Sequence, residues 1–540
     1  MIRKVATVAG AVAAILAGNS AFALTPAQIA ADIAGGTITI VNLTGSSAFR
    51  DELLVALSTV CDGSSNDAYG ADASFNDPAT TARNSWTGYG VAPGPYYSYN
   101  GPDFRGYSCH LKAGLSGALS TLSATDILVY YRSEGGSVYG VAPLALSAQI
   151  QRLDIPNPAA IPAGEAACVE GSATATQQNG FAFPAGLKNG FNEWICPVPT
   201  PLLNTSQKLG PGSAAGTPAT GGWWLPYDNW VNTAANGGGL AVYAGPVDLV
   251  IDTPTMGVSD VEPTLLAGEN YPTNNLTGDN TSLGSGLSTT QLGTIAATPV
   301  LQQIFGVIAS SNAASLVTKN LTNISKQTVT GILSGKYTNW NQTPEGGGIA
   351  APITICRRDP GSGTQTITSV FYLNVTCGKA SPLESALASK KGNGALVQTY
   401  ATTGDVQACV GSTPDAFGPS VFGGNPVGGH FLTVDGVAMS QPNVLNGTYK
   451  EWEEVNYVKG PQFTAATPAQ QNLINGLITD TADTAGGVVA ANSAYAYIPN
   501  QVDATPPDNA PSIANLAKFV NLVTRKGDSC QQEPQPLNTN

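Results

Sequence analysis

Charge is scarce in this chain. Only 11% of its 540 residues are Asp, Glu, Lys or Arg, and the formal net charge is −13. Nucleic acid, which wants a basic face, is excluded as a partner. Histidine is scarcer still, with His110 and His430 alone. That excludes a histidine-rich metal site, and a Ser-His-Asp hydrolase would have to recruit one of these two. No C-x-x-C pair occurs, which removes the zinc-ribbon and c-type haem readings. After the first residues no stretch is long and apolar enough for a membrane helix. A small anionic ligand is not excluded, because a buried site responds to local dipoles more than to net charge.

What is present begins with an export pattern. Arg3 and Lys4 precede an apolar run over residues 5–16, and Ala21-Phe22-Ala23 offers a small-x-small cleavage site. A secretory signal peptide, cut after Ala23, is expected and is set aside from the fold. The mature protein is then expected in the periplasm or outside the cell, as a monomer that does not span the membrane. The chain has eight cysteines. An even count behind a signal peptide points to disulfides, and proximity favours Cys61–Cys109 and Cys168–Cys196. The length implies more than one domain.

Several stretches read as α/β structure. In "GTITIVNLTGSSAFRDELLVALSTV", residues 37–43 alternate as a strand does, Thr44-Gly45-Ser46-Ser47 turns, and Leu53, Leu54 and Leu57 recur at helical spacing. "TDILVYYRSEGGSVYGVAPLAL" reads as strand, glycine corner and helix. "GPVDLVIDTPTMGVSDVEPTLL" reads as a strand and a turn ending in Ser259-Asp260. "LTNISKQTVTGILSGKYTNWNQ" reads as a short helix, a glycine turn and a Trp-closed loop. "APITIC" is a buried strand, and residues 365–376 are a helix with Ile367, Val370 and Phe371 on one face. A helix is expected over 511–527. Residues 61–122 and 150–240 show no sustained periodicity and read as disulfide-stapled insertions. Local packing accounts for Trp223, Trp224 and Trp230 more simply than a carbohydrate or partner surface does. Strands alternating with helices predict an α/β fold with largely parallel sheets.

The chemistry concentrates at "CRRDPGSGTQTITSVFYL". There the chain leaves a buried strand and enters a helix, whose first free N–H groups point at the corner. Gly361 and Gly363 let the backbone approach a ligand, Ser362 and Thr364 add hydroxyls, and Arg358 offers a planar fork to an oxyanion. For an isolated turn of this kind, helix capping by Ser362 or Thr364 is the plainer account. No Gly-Lys-Ser/Thr P-loop and no G-x-G-x-x-G fingerprint is present. Other corners change the balance: Gly45-Ser46-Ser47-Ala48-Phe49 and Ser133-Glu134-Gly135-Gly136-Ser137 could direct amides and hydroxyls into the same cleft. Asp260 follows a strand. An acid beside an anion is favourable only if the anion brings a proton, as hydrogen phosphate does and sulfate does not; a turn or cap role is the alternative.

With these blocks in this order, the sequence resembles the periplasmic phosphate-binding proteins of ABC importers, in the type 2 periplasmic-binding-protein superfamily. The blocks are "TGSSAF", "YYRSEGGSV", "VDLVIDTPTMGVSD", "LTNISKQTVTGILSGKYTNWNQ", "RRDPGSGTQT" and "VDGVAMSQPNVLNGTY". The resemblance implies a two-lobed fold with phosphate in the interlobe cleft, and an ABC permease as partner. It implies ligand contacts from Ser47, Ala48 and Phe49 at the first corner, and from Ser133 at the second. Asp260 matches the proton acceptor, and Arg358, Ser362, Gly363 and Thr364 match the arginine and the SGT turn. Two positions depart from the family pattern: Ala48 stands where a hydroxyl is usual, and Pro360 where an aspartate often follows the arginine.

The expected organisation is lobe one over 24–300, including insertions at about 61–122 and 150–240, lobe two over 301–454, and a return to lobe one over 455–540. The leading reading is an exported solute-binding protein for phosphate or a similar oxyanion, with no catalytic residue, cofactor or metal. An extracellular surface or matrix protein on the same scaffold is the alternative. A secreted phosphatase ranks below both, since no metal cluster and no activated nucleophile can be named.

Overall fold

The computed structural model describes residues 24–62, 67–72, 104–155, 169–170, 192–197, 249–271, 283–373, 396–482, 523–524 and 535–536, apart from 48, 50–52, 54, 55, 58, 134, 154, 285, 359, 401, 402, 422–425 and 427. The expected signal peptide, Cys168, Trp223, Trp224 and Trp230 lie outside the described residues.

Among the described residues, thirteen strands form one sheet. In chain order they are β1 (Ile38–Gly45), β2 (Asp67–Asp72), β3 (Phe104–His110), β4 (Asp126–Arg132), β5 (Val169–Glu170), β6 (Asn192–Pro197), β7 (Met256–Ser259), β8 (Ala296–Ser310), β9 (Thr354–Arg358), β10 (Leu396–Tyr400), β11 (Ala416–Val421), β12 (Gly429–Phe431) and β13 (Trp452–Lys459). The spatial order is β10-β9-β11-β8-β13-β7-β1-β4-β3-β2-β6-β5, with β12 beside β8. The main helices are α1 (Pro26–Gly35), α2 (Lys326–Leu333), α3 (Gly363–Leu373), α4 (Thr403–Ser412) and α5 (Pro468–Ala482). The fold is α/β.

β8 joins the lobes. Residues 296–304 pair antiparallel with β13, and residues 305–309 pair antiparallel with β11. β13 also pairs antiparallel with β7, which carries the chain's return to the first half of the sheet. The expectation of largely parallel sheets therefore fails at the centre. It fails again where β3 runs antiparallel to both β4 and β2, and holds at β1–β4, β1–β7, β2–β6, β9–β10 and β9–β11. Strand–helix alternation in a sequence carries no record of the direction in which distant strands pair.

Beneath β1 lies an apolar core of Val41, Leu43, Phe49, Leu53, Leu57, Tyr457, Leu473, Ile474 and Leu477. Leu473, Ile474 and Leu477 recur at helical spacing, so α5 presents one apolar face to the sheet. Phe49 meets Tyr457 edge to face, with ring centroids 5.4 Å apart. α3 is buried almost all round despite its Thr and Ser content. Its hydroxyls bond back along the helix: Thr366 Oγ1 donates to Ser362 O at 2.8 Å, Thr368 Oγ1 to Thr364 O at 2.7 Å, and Ser369 Oγ to Gln365 O at 3.1 Å. These bonds satisfy three of the helix's hydroxyls inside the core.

Three expectations need adjustment. The stretch around Asp260 holds two strands. Leu249–Asp252 pairs with Ile150–Leu153 in a separate sheet, and only Met256–Ser259 leads to the aspartate. β3 lies where no periodicity is visible, yet it pairs along its whole length with β4. Residues 105–109 are all buried, so the strand has no alternation of polar and apolar faces to read. The helix expected over 511–527 lies outside the described residues except at Val523–Thr524, which pair as a strand with Gln535–Pro536. Val and Thr are β-branched and favour extended backbone. Disulfides join Cys61 to Cys109, as proximity predicts, and Cys356 to Cys409, which proximity did not favour.

Just ahead of β13, Glu451 is fully buried. Its Oε2 accepts the Tyr372 hydroxyl at 2.6 Å. Burial pushes its carboxyl up from 4.5 to about 8, against the opposing pull of Tyr372, Lys326 and Tyr449. The folded state therefore keeps a proton that the unfolded chain releases near pH 4.5. Stability contributed by this group is full below that value and is lost as pH rises toward 8. Glu451→Gln keeps an acceptor for Tyr372 and removes the titration. Chemical denaturation at pH 5 and pH 8.5 is expected to show a smaller alkaline loss of stability in the variant, and an unchanged loss would refute this account.

Candidate functional site

Corners from distant parts of the chain meet at one place in the fold. After β9, Gly361 takes φ of +95°, a conformation that favours glycine. Its carbonyl accepts the Val138 N–H at 2.8 Å, so the corner after β9 is bonded to the corner after β4. Gly363 opens α3 in tight quarters. A Cβ there would lie 2.5 Å from the Asp260 Cβ and 2.6 Å from Ser137 Oγ. Only a residue without a side chain lets the helix start come this close.

Asp260 stands one residue past β7 and is 2% exposed. Its backbone N–H donates to Ser137 Oγ at 3.2 Å, and its Oδ1 is buried without a hydrogen-bond partner. Burial raises its carboxyl from 3.8 to about 7, more than the Arg358 charge and a Ser137 hydrogen bond lower it. Arg358, also 2% exposed, ends β9. Its Nη1 donates to Thr403 Oγ1 at 2.8 Å and to Ser47 Oγ at 3.2 Å. The bond to Ser47 links residues from the two halves of the sheet.

The hydroxyls of the SGT turn are divided. Ser362 Oγ accepts the Gln365 N–H at 3.4 Å and so caps α3, which leaves its own hydrogen to donate. Thr364 is fully buried, and its Oγ1 has no hydrogen-bond partner. Ser133 is buried at the end of β4, and its carbonyl accepts the Gly136 N–H at 3.2 Å. A Cβ on Gly136 would lie 3.2 Å from the Ser362 Cα, so the second corner sits directly against the SGT turn.

At the first corner the Phe49 N–H donates to Ser46 Oγ at 3.2 Å, and the ring anchors the corner in the core. Tyr131 in turn donates its hydroxyl to Ser46 O. Ala48 lies outside the described residues. The geometry thus gathers Ser47, Asp260, Arg358, Gly363 and the 133–138 corner around one buried seam. It also adds Ser46, Ser137 and Thr403, which were not among the expected site residues. Ser137 was visible in the quoted corner as its last hydroxyl. Thr403 follows no recognisable motif, being 45 residues from Arg358.

Chemically, the seam combines a fixed guanidinium, hydroxyls of both donor and acceptor type, and a carboxyl poised near neutrality. Such a set suits a small oxyanion that both accepts and donates hydrogen bonds. Among the described residues no group of His, Cys, Asp and Glu could hold a metal ion, and no helix is long and apolar enough to cross a membrane.

Residues 282–497 match the family model described as a PBP superfamily domain. That span runs from just before β8 to beyond α5. Among solved structures, the chain is similar to an ABC-type phosphate transport receptor from Vibrio cholerae. The identity is 16%, with 45% of this chain and 80% of that one covered and a TM-score of 0.29. It is also similar to a phosphate-binding protein from Stenotrophomonas maltophilia. There the identity is 16%, with 46% and 77% covered and a TM-score of 0.33. No curated protein matches the chain.

The tightness at Gly363 can be tested directly. Gly363→Ala is expected to force the helix start away from Asp260 and to cost about 1–3 kcal/mol of stability, as overpacking does. The Val138 amide, bonded across the seam, is expected to exchange with solvent faster. Exchange as slow as in the native protein would mean that the seam tolerates a side chain there.

Proposed function

We propose that this chain is an exported solute-binding protein that holds inorganic phosphate between its lobes and delivers it to an ABC-type permease. It binds without catalysing a reaction. The observation that carries this reading is the buried meeting of Asp260, Arg358 and Thr364, where Asp260 Oδ1 and Thr364 Oγ1 have no hydrogen-bond partner. Buried polar atoms without partners cost free energy, so a ligand that answers them is favoured.

In this reading Arg358 and the hydroxyls of Ser47, Ser133, Ser362 and Thr364 donate to phosphate oxygens. The Gly363 amide completes the shell, with residue 48 in the first corner, and the Phe49 amide joins it by giving up its bond to Ser46 Oγ. Asp260, as a carboxylate, accepts the ligand's own proton. Lobe one comprises 24–300 and the return over 455–540, and lobe two comprises 301–454. Because the anion touches both, it favours the closed arrangement through differential affinity.

Selectivity follows from the proton. Sulfate brings only acceptors, so it needs Asp260 neutral, whereas hydrogen phosphate satisfies the carboxylate. With the carboxyl raised to about 7, sulfate binding is expected to strengthen as pH falls through that value, while phosphate remains bound above it. Asp260→Asn should narrow the preference for phosphate over sulfate by roughly 10- to 100-fold, the worth of one hydrogen bond to a charged group. Isothermal titration of both anions at pH 6 and pH 8 tests this. Equal affinity for the two at pH 8, or no uptake of either by phosphate-free protein, would end the proposal.

A further inference from the structure

Arg358 ends its strand with a long side chain, and a guanidinium is useful to an anion only if its fork is held in one direction. The nearest hydrogen-bond partner described for it is Thr403, whose Oγ1 accepts Nη1 at 2.8 Å. Thr403 is the first residue of α4. We propose that Thr403 is a positioning residue for Arg358, and that the Cys356–Cys409 disulfide fixes the helix so that it can be one. This rests on the reading of Arg358 as the anion's guanidinium.

The topology supports a brace of this kind. β10, β9 and β11 are mutually parallel, and α4 connects β10 to β11. The helix therefore runs antiparallel to β9, and its first residue returns to the end of the strand where Arg358 stands. Cys356 lies two residues before Arg358, on the same face of β9. Its disulfide partner Cys409 lies six residues after Thr403. Two strand residues span about 6.6 Å and six helical residues about 9 Å, so the disulfide and the Arg358–Thr403 bond are ties at two levels between the same two elements. The covalent tie removes sliding of the helix along the strand, and the hydroxyl then meets the guanidinium in one register.

α4 does not need that hydroxyl to stay in place. Val406, Cys409 and Val410 are buried with Cys356, Tyr400 and Ala416 in an apolar cluster, whereas Thr403 is half-buried. Loss of the hydroxyl should therefore change the direction of the guanidinium more than the stability of the fold. The partner is also neutral. Threonine orients the cation without offsetting its charge, so the charge stays available to an anion.

The test compares Thr403→Val and Thr403→Ser with the native chain. The valine variant is expected to weaken phosphate binding by roughly 10- to 100-fold, with its ligand-free melting temperature unchanged. The serine variant should recover binding to within about threefold of native, since it restores the acceptor. A Cys356→Ala/Cys409→Ala variant should lose affinity as well, and adding Thr403→Val to it should cost less than in the native chain, because both act through one tie. Native affinity in the valine variant, no rescue by serine, or strictly additive losses would overturn the proposal. If the disulfide-free variant does not fold, the Thr403 pair decides. If the native chain takes up no oxyanion, it is the functional reading that fails. The ligand-free crystal structure of Thr403→Val then judges the positioning role on its own: a guanidinium swung away from Ser47 supports it, and an unmoved one refutes it.

Discussion

Asp260 and Arg358 are both 2% exposed, and taking either charge out of water costs several kcal/mol unless its surroundings answer it. The seam meets that cost in two ways. Asp260 yields part of its charge, because burial lifts its carboxyl to about 7 against the pull of the arginine. Arg358 cannot yield a proton, so its nitrogen is placed against hydroxyl acceptors from two separate parts of the chain, Ser47 and Thr403. Once those partners are required, much else follows. The corner after β1 must reach β9, α4 must return its first turn to the strand end, and the corner after β4 must lie against α3. The glycines at 361 and 363 are the steric condition for that convergence. A backbone that must pass within van der Waals distance of Asp260 and Ser137 has no room for a Cβ.

This explains which parts were legible in the sequence. β1 could be read from its alternation and α3 from Ile367 and Val370, because local spacing reflects which face is buried. The SGT turn was legible because glycine and hydroxyl residues at a strand-to-helix junction have few uses. Asp260 was legible as a lone acid at the end of an apolar stretch. In each case the signal and the structure lie within a few residues of each other.

The rest is long-range. Thr403 reaches Arg358 across 45 residues of chain, and Ser47 across 311. No periodicity encodes either meeting. The antiparallel centre of the sheet escaped for the same reason, because β8 and β13 are paired across about 150 residues of chain. β3 escaped for a local one: Gly106 and Ser108 sit where a reader looks for β-branched residues, and the full register against β4 supplies what propensity does not. Ser362 shows a third kind of gap. Cap and ligand donor looked like alternatives at the level of sequence. In three dimensions the hydroxyl accepts from the helix with its oxygen and keeps its hydrogen, so one group can serve both.

Two buried carboxyls, Asp260 and Glu451, illustrate how the same physics serves different ends. Burial raises both. Glu451 is met by the Tyr372 and Tyr449 hydroxyls just ahead of β13, and its proton is a matter of stability. Asp260 lies beside the Arg358 guanidinium, and on the proposed reading its proton is set by the anion it meets. Each acid keeps one buried oxygen without a hydrogen-bond partner, so it is the neighbour that separates them: neutral hydroxyls at one, a fixed cation at the other. The difference lies in the partners that the fold brings to each acid, since neither residue type nor depth of burial separates them. A buried carboxyl beside a guanidinium, at a seam built by distant chain corners, is therefore the feature to look for, ahead of any single motif.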